Sequence, residues 1–366
     1  MIHLFDTYIA PTAGKRIADL LASTHLSEGA LVGEFEHELA SSLGIINPVA
    51  VNSGTSALHL AMVLAGIKPD DEVILPAQTF IASGLAVKYV GATPVFADVD
   101  YETGNIDPAS IRRKLSDKTR AIMVVHWGGD PCDMREILEI ARQRGIPVIE
   151  DAAHALGATY NGKSIGTLSE FTCFSFQAIK HVTTGDGGAV ACRDGAMAKR
   201  ARKLRWFDID RFDAPMSFLG ERAYDAGEIG YKYHMNNYAA VLGLANLDGF
   251  PKRLARRRSL ARSYRERLGR VKGLQLWRES PDRESAWWLF GFHAERRDEF
   301  IRAMQARGVV ASVVHQRIDR NSIFGRVRDD LPNQARFDLT QVHVPVHSSL
   351  TDEDAEHIVR SIEKGW

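Results

Sequence analysis

Between residues 53 and 205, short apolar runs rich in β-branched residues alternate with stretches in which apolar residues recur every three or four positions. The stretches 55–65 and 133–144 each have an apolar face at helical spacing, with Asp133 expected as the N-cap of the second. Such alternation predicts the α/β class, in which helices cover a mostly parallel sheet. The apolar runs with the length and composition of strands are 73–75, 94–97, 121–125, 148–149, 173–176 and 188–191.

The pattern changes after residue 206. Residues 207–233 are rich in Gly, Pro, Asp and aromatic residues, and a stretch of this length indicates a functional loop rather than a simple connection. Apolar residues return at helical spacing from 247 to 268, in a segment crowded with arginine. We interpret this segment as a solvated helix with an inward apolar stripe, because a nucleic-acid surface does not fit a chain without net positive charge.

From residue 273 onward, short apolar runs and helical patterns alternate again. This stretch predicts a compact α+β unit at the end of the chain. We therefore expect two domains, an N-terminal segment with a large α/β domain over residues 1–245 and a small α+β domain over residues 246–366. The elements expected in the second domain are strands at 287–292 and 309–314 and helices at 298–307 and 352–364.

Composition and charge narrow the class of protein. The 366 residues include 46 Lys and Arg and 46 Asp and Glu, so the formal net charge is zero, which argues against nucleic acid as a partner. A hydrophobic share of 45% is typical of a globular chain with a large core. The three cysteines form no C-x-x-C pair, so neither a disulfide framework nor a zinc ribbon is expected. Without a signal-peptide pattern or an apolar run near the roughly 18 residues of a membrane span, we expect a soluble, cytoplasmic protein with no membrane partner.

Two motif matches are set aside because their context does not fit. Residues 157–164 match the phosphate-loop pattern G-x-x-x-x-G-K-S, but that loop requires a following helix, and here a β-rich run follows. A hairpin turn at Asn161-Gly162 is the better interpretation. His343 and His347 have the spacing of a zinc-binding pair, but the proline between them excludes a helix, and no metal site is expected.

Three further features point to one kind of site. Residues 52–57 follow a β-type run and begin a helix with small and hydroxyl residues. Such a helix start can bind an anion, but it is equally an ordinary N-cap. Asp151 ends a predicted strand, where ligands of α/β sheets bind, although an acid there is often only a helix cap. Lys180 has apolar neighbours, which favour a neutral, nucleophilic amine, although most lysines simply solvate a surface. Together they supply what pyridoxal phosphate needs: a phosphate cradle, an acid for the pyridine nitrogen and a Schiff-base lysine.

These residues lie within motifs by which the sequence, from residue 27 to 366, resembles the DegT/DnrJ/EryC1/StrS family of sugar aminotransferases. The resemblance implies the type I fold of aspartate aminotransferase. In that fold a mostly parallel sheet of the seven-stranded type lies between helices in a large domain, and a smaller α+β domain follows. The matching motifs are SGTSAL at 53–58, PAQTF at 76–80, EDAAHA at 150–155, SFQAIK at 175–180, GDGG at 185–188 and GYKYHMN at 230–236.

The resemblance implies a role for each matching residue. Asp151 would pair with the pyridinium nitrogen, and Lys180 would be both the Schiff-base lysine and the base that moves the α-proton of the amino donor. Candidate substrate contacts are His315, Arg317 and Tyr233, although Arg317 is equally expected to pair with a nearby aspartate such as Asp319. The other cofactor contacts implied are Gly54, Thr55, Ser56 and Ser175 at the phosphate, Phe80 against the ring, His154 near the ring hydroxyl, and Asn236 reaching the neighbouring subunit of a homodimer with shared sites.

The implied activity is transfer of the amino group of glutamate, through a pyridoxamine phosphate form, to a nucleotide-linked 3-keto or 4-keto deoxysugar. The product would be an amino sugar for a surface polysaccharide, such as lipopolysaccharide, or for a secondary metabolite. A sugar 3-dehydratase is an alternative, because one branch of the family has histidine in place of the lysine, and His181 adjoins Lys180. The lysine at the motif position favours transamination. A non-catalytic regulatory relative is a further alternative, and a phosphate-loop ATPase a remote one.

Overall fold

The computed structural model describes residues 1–211 and 213–366. Short strands separated by helices dominate the first half, as the alternating pattern predicts. The strands are β1 (Pro48–Val51), β2 (Glu72–Pro76), β3 (Thr93–Ala97), β4 (Thr119–Val125), β5 (Val148–Asp151), β6 (Thr159–Tyr160), β7 (Lys163–Ser164), β8 (Phe171–Ser175), β9 (Gly188–Cys192), β10 (Leu274–Leu276), β11 (Arg283–Glu284), β12 (Phe290–Ala294) and β13 (Gln341–Val344). The helices are α1 (Ala13–Ser23), α2 (Ala30–Leu43), α3 (Gly54–Leu64), α4 (Ile81–Tyr89), α5 (Pro108–Lys114), α6 (Met134–Arg144), α7 (Gly195–Leu204), α8 (Asn237–Leu247), α9 (Phe250–Leu268), α10 (Arg297–Ala306), α11 (Pro332–Thr340) and α12 (Asp352–Glu363).

A seven-stranded sheet forms the centre of the first half, with strand order β1-β9-β8-β5-β4-β2-β3. The pairs from β3 to β8 run parallel, whereas β9 is antiparallel to both of its neighbours. Successive residues of a strand point to opposite faces of the sheet, and here they pack into two different apolar clusters: Ile122 of β4 lies in one, and Met123 lies in the other. Both faces of the sheet are therefore buried under helices, which confirms the predicted α/β class and its mostly parallel sheet.

The second half contains a small antiparallel sheet of strand order β10-β12-β13. A separate apolar cluster joins it to α9 and α12 through fully buried residues such as Tyr264, Phe292 and Ile358. The arginine-rich segment is thus a helix whose apolar side packs inward, as predicted. None of the helices in residues 1–211 and 213–366 is both long and apolar enough to cross a bilayer.

Several local predictions need correction. The strand predicted at 287–292 begins only at Phe290, since Trp287 has a positive φ of 48° that interrupts extended backbone. The segment predicted as a strand at 309–314 forms only isolated bridges, one of them between Ser312 and His343. Asp133 does not cap α6 with its side chain; its carboxylate instead pairs with Arg283.

The hairpin predicted at Asn161-Gly162 is confirmed. Strands β6 and β7 pair antiparallel on either side of it. The φ angles of Asn161 and Gly162 are 48° and 73°, and positive values at both central residues define the turn that suits a two-residue hairpin. A hairpin leaves no helix N-terminus here, so the phosphate-loop interpretation is excluded by the backbone itself.

Candidate active site

A cavity of about 350 Å³ lies at the carboxyl ends of β5 and β8, beside the N-terminus of α3. This is where α/β sheets bind their ligands, because the loops that follow parallel strands meet at one edge. Most of the residues predicted for the cofactor line this cavity, together with one predicted for the substrate: Gly54, Thr55, Phe80, Asp151, His154, Ser175, Lys180 and His315.

One side of the cavity is the start of α3. The Ser53 side chain caps the helix by accepting a hydrogen bond from the amide of Ser56 at 3.0 Å. The next residues, Gly54 and Thr55, line the cavity, and the first amides of a helix have no acceptor within the helix. A Cβ on Gly54 would lie 2.9 Å from the Cβ of Ser175, so only glycine allows the helix start and the end of β8 to approach this closely. The result is a compact group of donors suited to an anion.

Ser56 does not line this cavity. Its hydroxyl donates to Oδ1 of Asn52 at 2.6 Å and lies 2.9 Å from the hydroxyl of Ser53. Its contacts therefore belong to the local structure of the helix cap rather than to the cavity wall.

Asp151 ends β5 and is buried. Its Oδ2 accepts a hydrogen bond from the hydroxyl of Ser83 at 2.7 Å, and its Oδ1 accepts one from the amide of Ala153 at 3.2 Å. Burial raises the pKa of the Asp151 carboxyl, while Ser83, Ala153 and the amine of Lys180 act in the opposite direction. Ser83 lies on α4, and sequence reasoning did not identify it, because a serine within a helix carries no distinguishing pattern.

Lys180 lies on the loop between β8 and β9, whose two strands are adjacent and antiparallel. The loop is closed at its base, where the amide of Phe176 donates to the carbonyl of Gly187 at 2.8 Å. Burial lowers the pKa of Lys180 to about 7, and the charge of Asp151 opposes this shift. The amine is thus available as a base or nucleophile close to neutral pH.

Aromatic rings form the remaining wall. The ring of His154 stacks on Trp288, with centroids 3.7 Å apart and planes inclined by 14°. Its Nδ1 is buried and has no hydrogen-bond partner within the described part of the chain. Phe80 is half exposed, and its ring centroid lies 5.0 Å from that of His315. Trp288 was missed by sequence reasoning, since a tryptophan in an apolar run reads as a core residue.

The other candidates lie outside the cavity. The hydroxyl of Tyr233 lies 3.0 Å from Nδ1 of His59. The side chain of Asn236 caps α8 by accepting from the amide of Ala239 at 2.9 Å. Of the two open expectations for Arg317, the pair with an aspartate is the one formed.

Arg317 and Asp319 form a buried ion pair with two hydrogen bonds of 2.6 Å. A second arginine of the same segment, Arg320, donates instead to the side-chain amide of Gln316. Neither arginine lines the cavity.

The chain has the type I fold of the pyridoxal-phosphate-dependent transferases, with a mostly parallel seven-stranded sheet at its centre. Residues 8–363 match the DegT/DnrJ/EryC1/StrS aminotransferase family, and the chain belongs to that family. The resemblance identified from the sequence motifs is thereby confirmed. The protein is an enzyme of the aminotransferase type.

Named relatives match over nearly their whole length. A GDP-perosamine synthase of Caulobacter vibrioides is 35% identical over 346 residues, which are 92% of this chain and 91% of that protein. The solved structure of the sugar aminotransferase CalS13 from Micromonospora echinospora superposes with a TM-score of 0.95, at 34% identity and over all of both chains. The putative sugar aminotransferase Spr1654 of Streptococcus pneumoniae, 26% identical, superposes in its PLP form with a TM-score of 0.91 over 99% of this chain and 98% of that one. It was also solved in a PMP form.

Proposed function

We propose that this enzyme uses pyridoxal phosphate to transfer the amino group of glutamate to a nucleotide-linked keto-deoxysugar with its carbonyl at carbon 3 or 4. The observation that carries the proposal is that the Lys180 amine and the Asp151 carboxylate line one cavity with the N-terminus of α3. The names of two relatives, a GDP-perosamine synthase and a sugar aminotransferase, support a sugar as the amino acceptor. The product would be an amino sugar for a surface polysaccharide or a secondary metabolite.

The residues present fit the proposed cofactor. The close approach of Gly54 and Ser175 and the free amides of the helix start provide a cradle for the phosphate. Asp151 provides the acid for the pyridine nitrogen, and buried His154, whose Nδ1 has no partner among the residues that the structure describes, provides a group for the ring hydroxyl. Lys180 provides the amine that holds the aldehyde carbon, and Phe80 provides an aromatic surface for the ring. Thr55 completes the cradle.

When bound, pyridoxal phosphate supplies an electron sink that stabilises the negative charge left when the amino donor loses its α-proton. Asp151 keeps a proton on the ring nitrogen, because a buried carboxylate favours a positive charge beside it. Lys180 accepts the α-proton at Nζ and can return it, which requires the neutral amine that burial favours. The same lysine serves both halves of the reaction, one with glutamate and one with the keto sugar.

We also propose a homodimer with shared active sites. The loop between α7 and α8 exposes several large apolar side chains, and a second copy of the chain could cover them. Asn236, outside the cavity of its own subunit, remains the candidate for contact with the phosphate of the neighbour. The exposed residues of the loop are Met216, Phe218, Leu219, Tyr224 and Ile229.

A mixing experiment tests the shared site. Lys180→Ala and Asn236→Ala are purified separately, and each is expected to be inactive or nearly so. In a hybrid dimer, one site combines the native Lys180 of one subunit with the native Asn236 of the other. Mixing with exchange of subunits should therefore restore activity toward half the wild-type value per hybrid, whereas sites built within single subunits would give no recovery.

The position of His181 favours transamination over sugar dehydration. Its Nε2 donates to the carbonyl of Ala286 at 2.8 Å, and the residue does not line the cavity. Lys180, by contrast, does line it. The histidine therefore anchors the backbone at Ala286, and the lysine is the group placed to act on a ligand.

The proposal is tested by mixing purified enzyme with glutamate and a panel of nucleotide-linked 3-keto and 4-keto deoxysugars, with products read by mass spectrometry. We expect a yellow protein whose spectrum shifts toward the pyridoxamine form with glutamate, and one sugar that exchanges its carbonyl oxygen for an amino group. Loss of water without gain of nitrogen would identify the dehydratase instead. A colourless protein that binds no pyridoxal phosphate would overturn the proposal.

A further inference from the structure

The amine of Lys180 rests on an aromatic ring that belongs to the second half of the chain. Its Nζ lies 3.7 Å from the centroid of the Trp288 ring. Trp288 lies in the segment between β11 and β12, lines the cavity, and is only 1% exposed. The ring that touches the lysine is therefore not supplied by the sheet that carries Asp151.

Trp288 is itself held in place by neighbours of the lysine. Its Nε1 donates to the carbonyl of Ile179, the residue directly before Lys180, at 3.0 Å. The ring stacks on His154 and also on Phe5, whose centroid is 5.0 Å away. Because the indole is hydrogen-bonded to the backbone beside Lys180, the position of the ring relative to the lysine loop is fixed.

The backbone on both sides of Trp288 is fixed as well. The amide of Ala286 donates to Gly129 at 3.0 Å, and the amide of Leu289 donates to Gly128 at 3.1 Å. The carbonyl of Ala286 accepts from His181, the residue directly after Lys180. Hydrogen bonds to Ile179 and His181 therefore tie this segment to both residues that flank the lysine.

An aromatic face is a suitable resting place for an amine. Its negative electrostatic surface attracts the N–H groups of the amine, neutral or protonated, and it offers no strong hydrogen-bond acceptor that would hold the amine tightly. A lysine side chain has four rotatable bonds, and an amine without such a contact would sample many positions in the cavity. The ring of Trp288 limits these positions, so a larger share of encounters with a bound group begins from one geometry.

We propose that Trp288 is a positioning residue for Lys180, and that its ring holds the amine at one place in the cavity whenever the amine is not joined to the cofactor. The inference rests on the proposed function, which gives the lysine an attached and a released state. It concerns the rate of attachment to pyridoxal phosphate. In that step Nζ forms a double bond with the aldehyde carbon, and one water leaves with the aldehyde oxygen and two protons of the amine.

The test measures this attachment in the cofactor-free protein by stopped-flow absorbance. Trp288→Met removes the aromatic face while keeping an apolar side chain of useful volume, and Trp288→Phe keeps a smaller aromatic face. We expect attachment about tenfold slower in the methionine variant and within about threefold of wild type in the phenylalanine variant. In steady-state assays the methionine variant should lose kcat with little change in the KM for glutamate.

Trp277→Phe is the matched control. Trp277 is also largely buried in the second half of the chain, but it packs against Phe337 and His343, with centroids 5.2 and 5.4 Å away, and does not line the cavity. This variant should attach the cofactor at the wild-type rate. A methionine variant of Trp288 that is as fast as wild type would overturn the inference, as would a Trp277 variant that is slowed to the same extent.

A second measurement decides the matter if the methionine variant does not fold. All six tryptophans are replaced biosynthetically by 5-fluorotryptophan, which weakens the negative face of the ring with little change in shape. Attachment should slow in the wild-type background and stay unchanged in the Trp288→Phe background. Equal rates with and without fluorine in the wild-type background refute the role of Trp288. A wild-type protein that takes up no pyridoxal phosphate overturns the proposed function along with it.

Discussion

The cavity has two walls of different construction. On the sheet side, polar groups are fixed by hydrogen bonds within the first half of the chain: Ser83 donates to Asp151, and Ser53 caps the helix that begins at Gly54. On the other side the wall is aromatic, and two of its rings, Trp288 and His315, lie more than a hundred residues beyond Asp151 in the chain. We expect the sheet wall to fix the charged groups of the cofactor, whereas the aromatic wall positions the lysine and limits the space left for substrates.

The largest effect is expected when Lys180, the one group on which both walls act, is removed. Lys180→Ala should lower turnover by at least about a thousandfold, because the amine proposed to accept the α-proton is then missing. Steady-state assays with glutamate and the accepted sugar measure the loss. Circular dichroism should show an intact fold, and a variant with substantial activity would rule out the role of this lysine.

A change confined to the sheet wall should have the next largest effect. Asp151→Asn keeps the shape of the side chain but removes the charge that stabilises a protonated ring nitrogen, so kcat should fall about a hundredfold. Ser83→Ala is the matched control, because it removes the hydrogen bond to Oδ2 and the contact with the Thr79 hydroxyl but leaves the charge of Asp151, and it should cost about tenfold or less. If the two variants lose the same activity, the charge of Asp151 is not what matters.

The pH dependence of attachment tests the environment that both walls create around the lysine. Burial lowers the pKa of Lys180 to about 7, so the amine is protonated below that pH and neutral above it. Only the neutral amine has a free electron pair, so attachment should slow about tenfold for each pH unit below the pKa and reach a plateau above it. Stopped-flow measurements on cofactor-free protein give the profile. An ordinary lysine has a pKa of about 10, so a rate that keeps rising toward pH 10 would contradict the lowered pKa of Lys180.

The smallest catalytic effect is expected at Arg317. Because its guanidinium is paired with buried Asp319, Arg317→Ala should leave the KM for the sugar within about twofold of wild type while reducing the free energy of unfolding by about 3 kcal/mol. Denaturant titration and steady-state kinetics separate the two effects. A large rise in KM with unchanged stability would show that this arginine binds substrate after all.

Much of the sheet wall could be predicted from sequence, because its signals are local. The apolar run that ends in Asp151 predicts a strand with this residue at its carboxyl end. The apolar run that ends before residues 53–56 predicts that a helix begins there. Since parallel strands place such ends along one edge, the two features could be expected to meet. Lys180 could be identified by its apolar neighbours and by its place at the end of the motif at 175–180.

The aromatic wall could not be predicted in the same way. The apolar residues around Trp288 in the sequence predict a core residue. Only the folded chain shows that its ring contacts Lys180. Likewise, whether Arg317 faces a ligand or an aspartate is decided by the path of the chain between α10 and α11, which no periodicity records. Contacts between distant segments depend on how individual side chains pack, and the pattern of apolar and polar residues does not determine this.

The closed loop between β8 and β9 has a practical consequence. Its ends are fastened in neighbouring strands, with a further bond from the amide of Thr184 to the carbonyl of Phe176 at 2.9 Å, so the segment cannot slide along the sheet. Enzyme that has lost its cofactor during purification or storage should therefore recover on simple addition of pyridoxal phosphate, without a cycle of denaturation and renaturation.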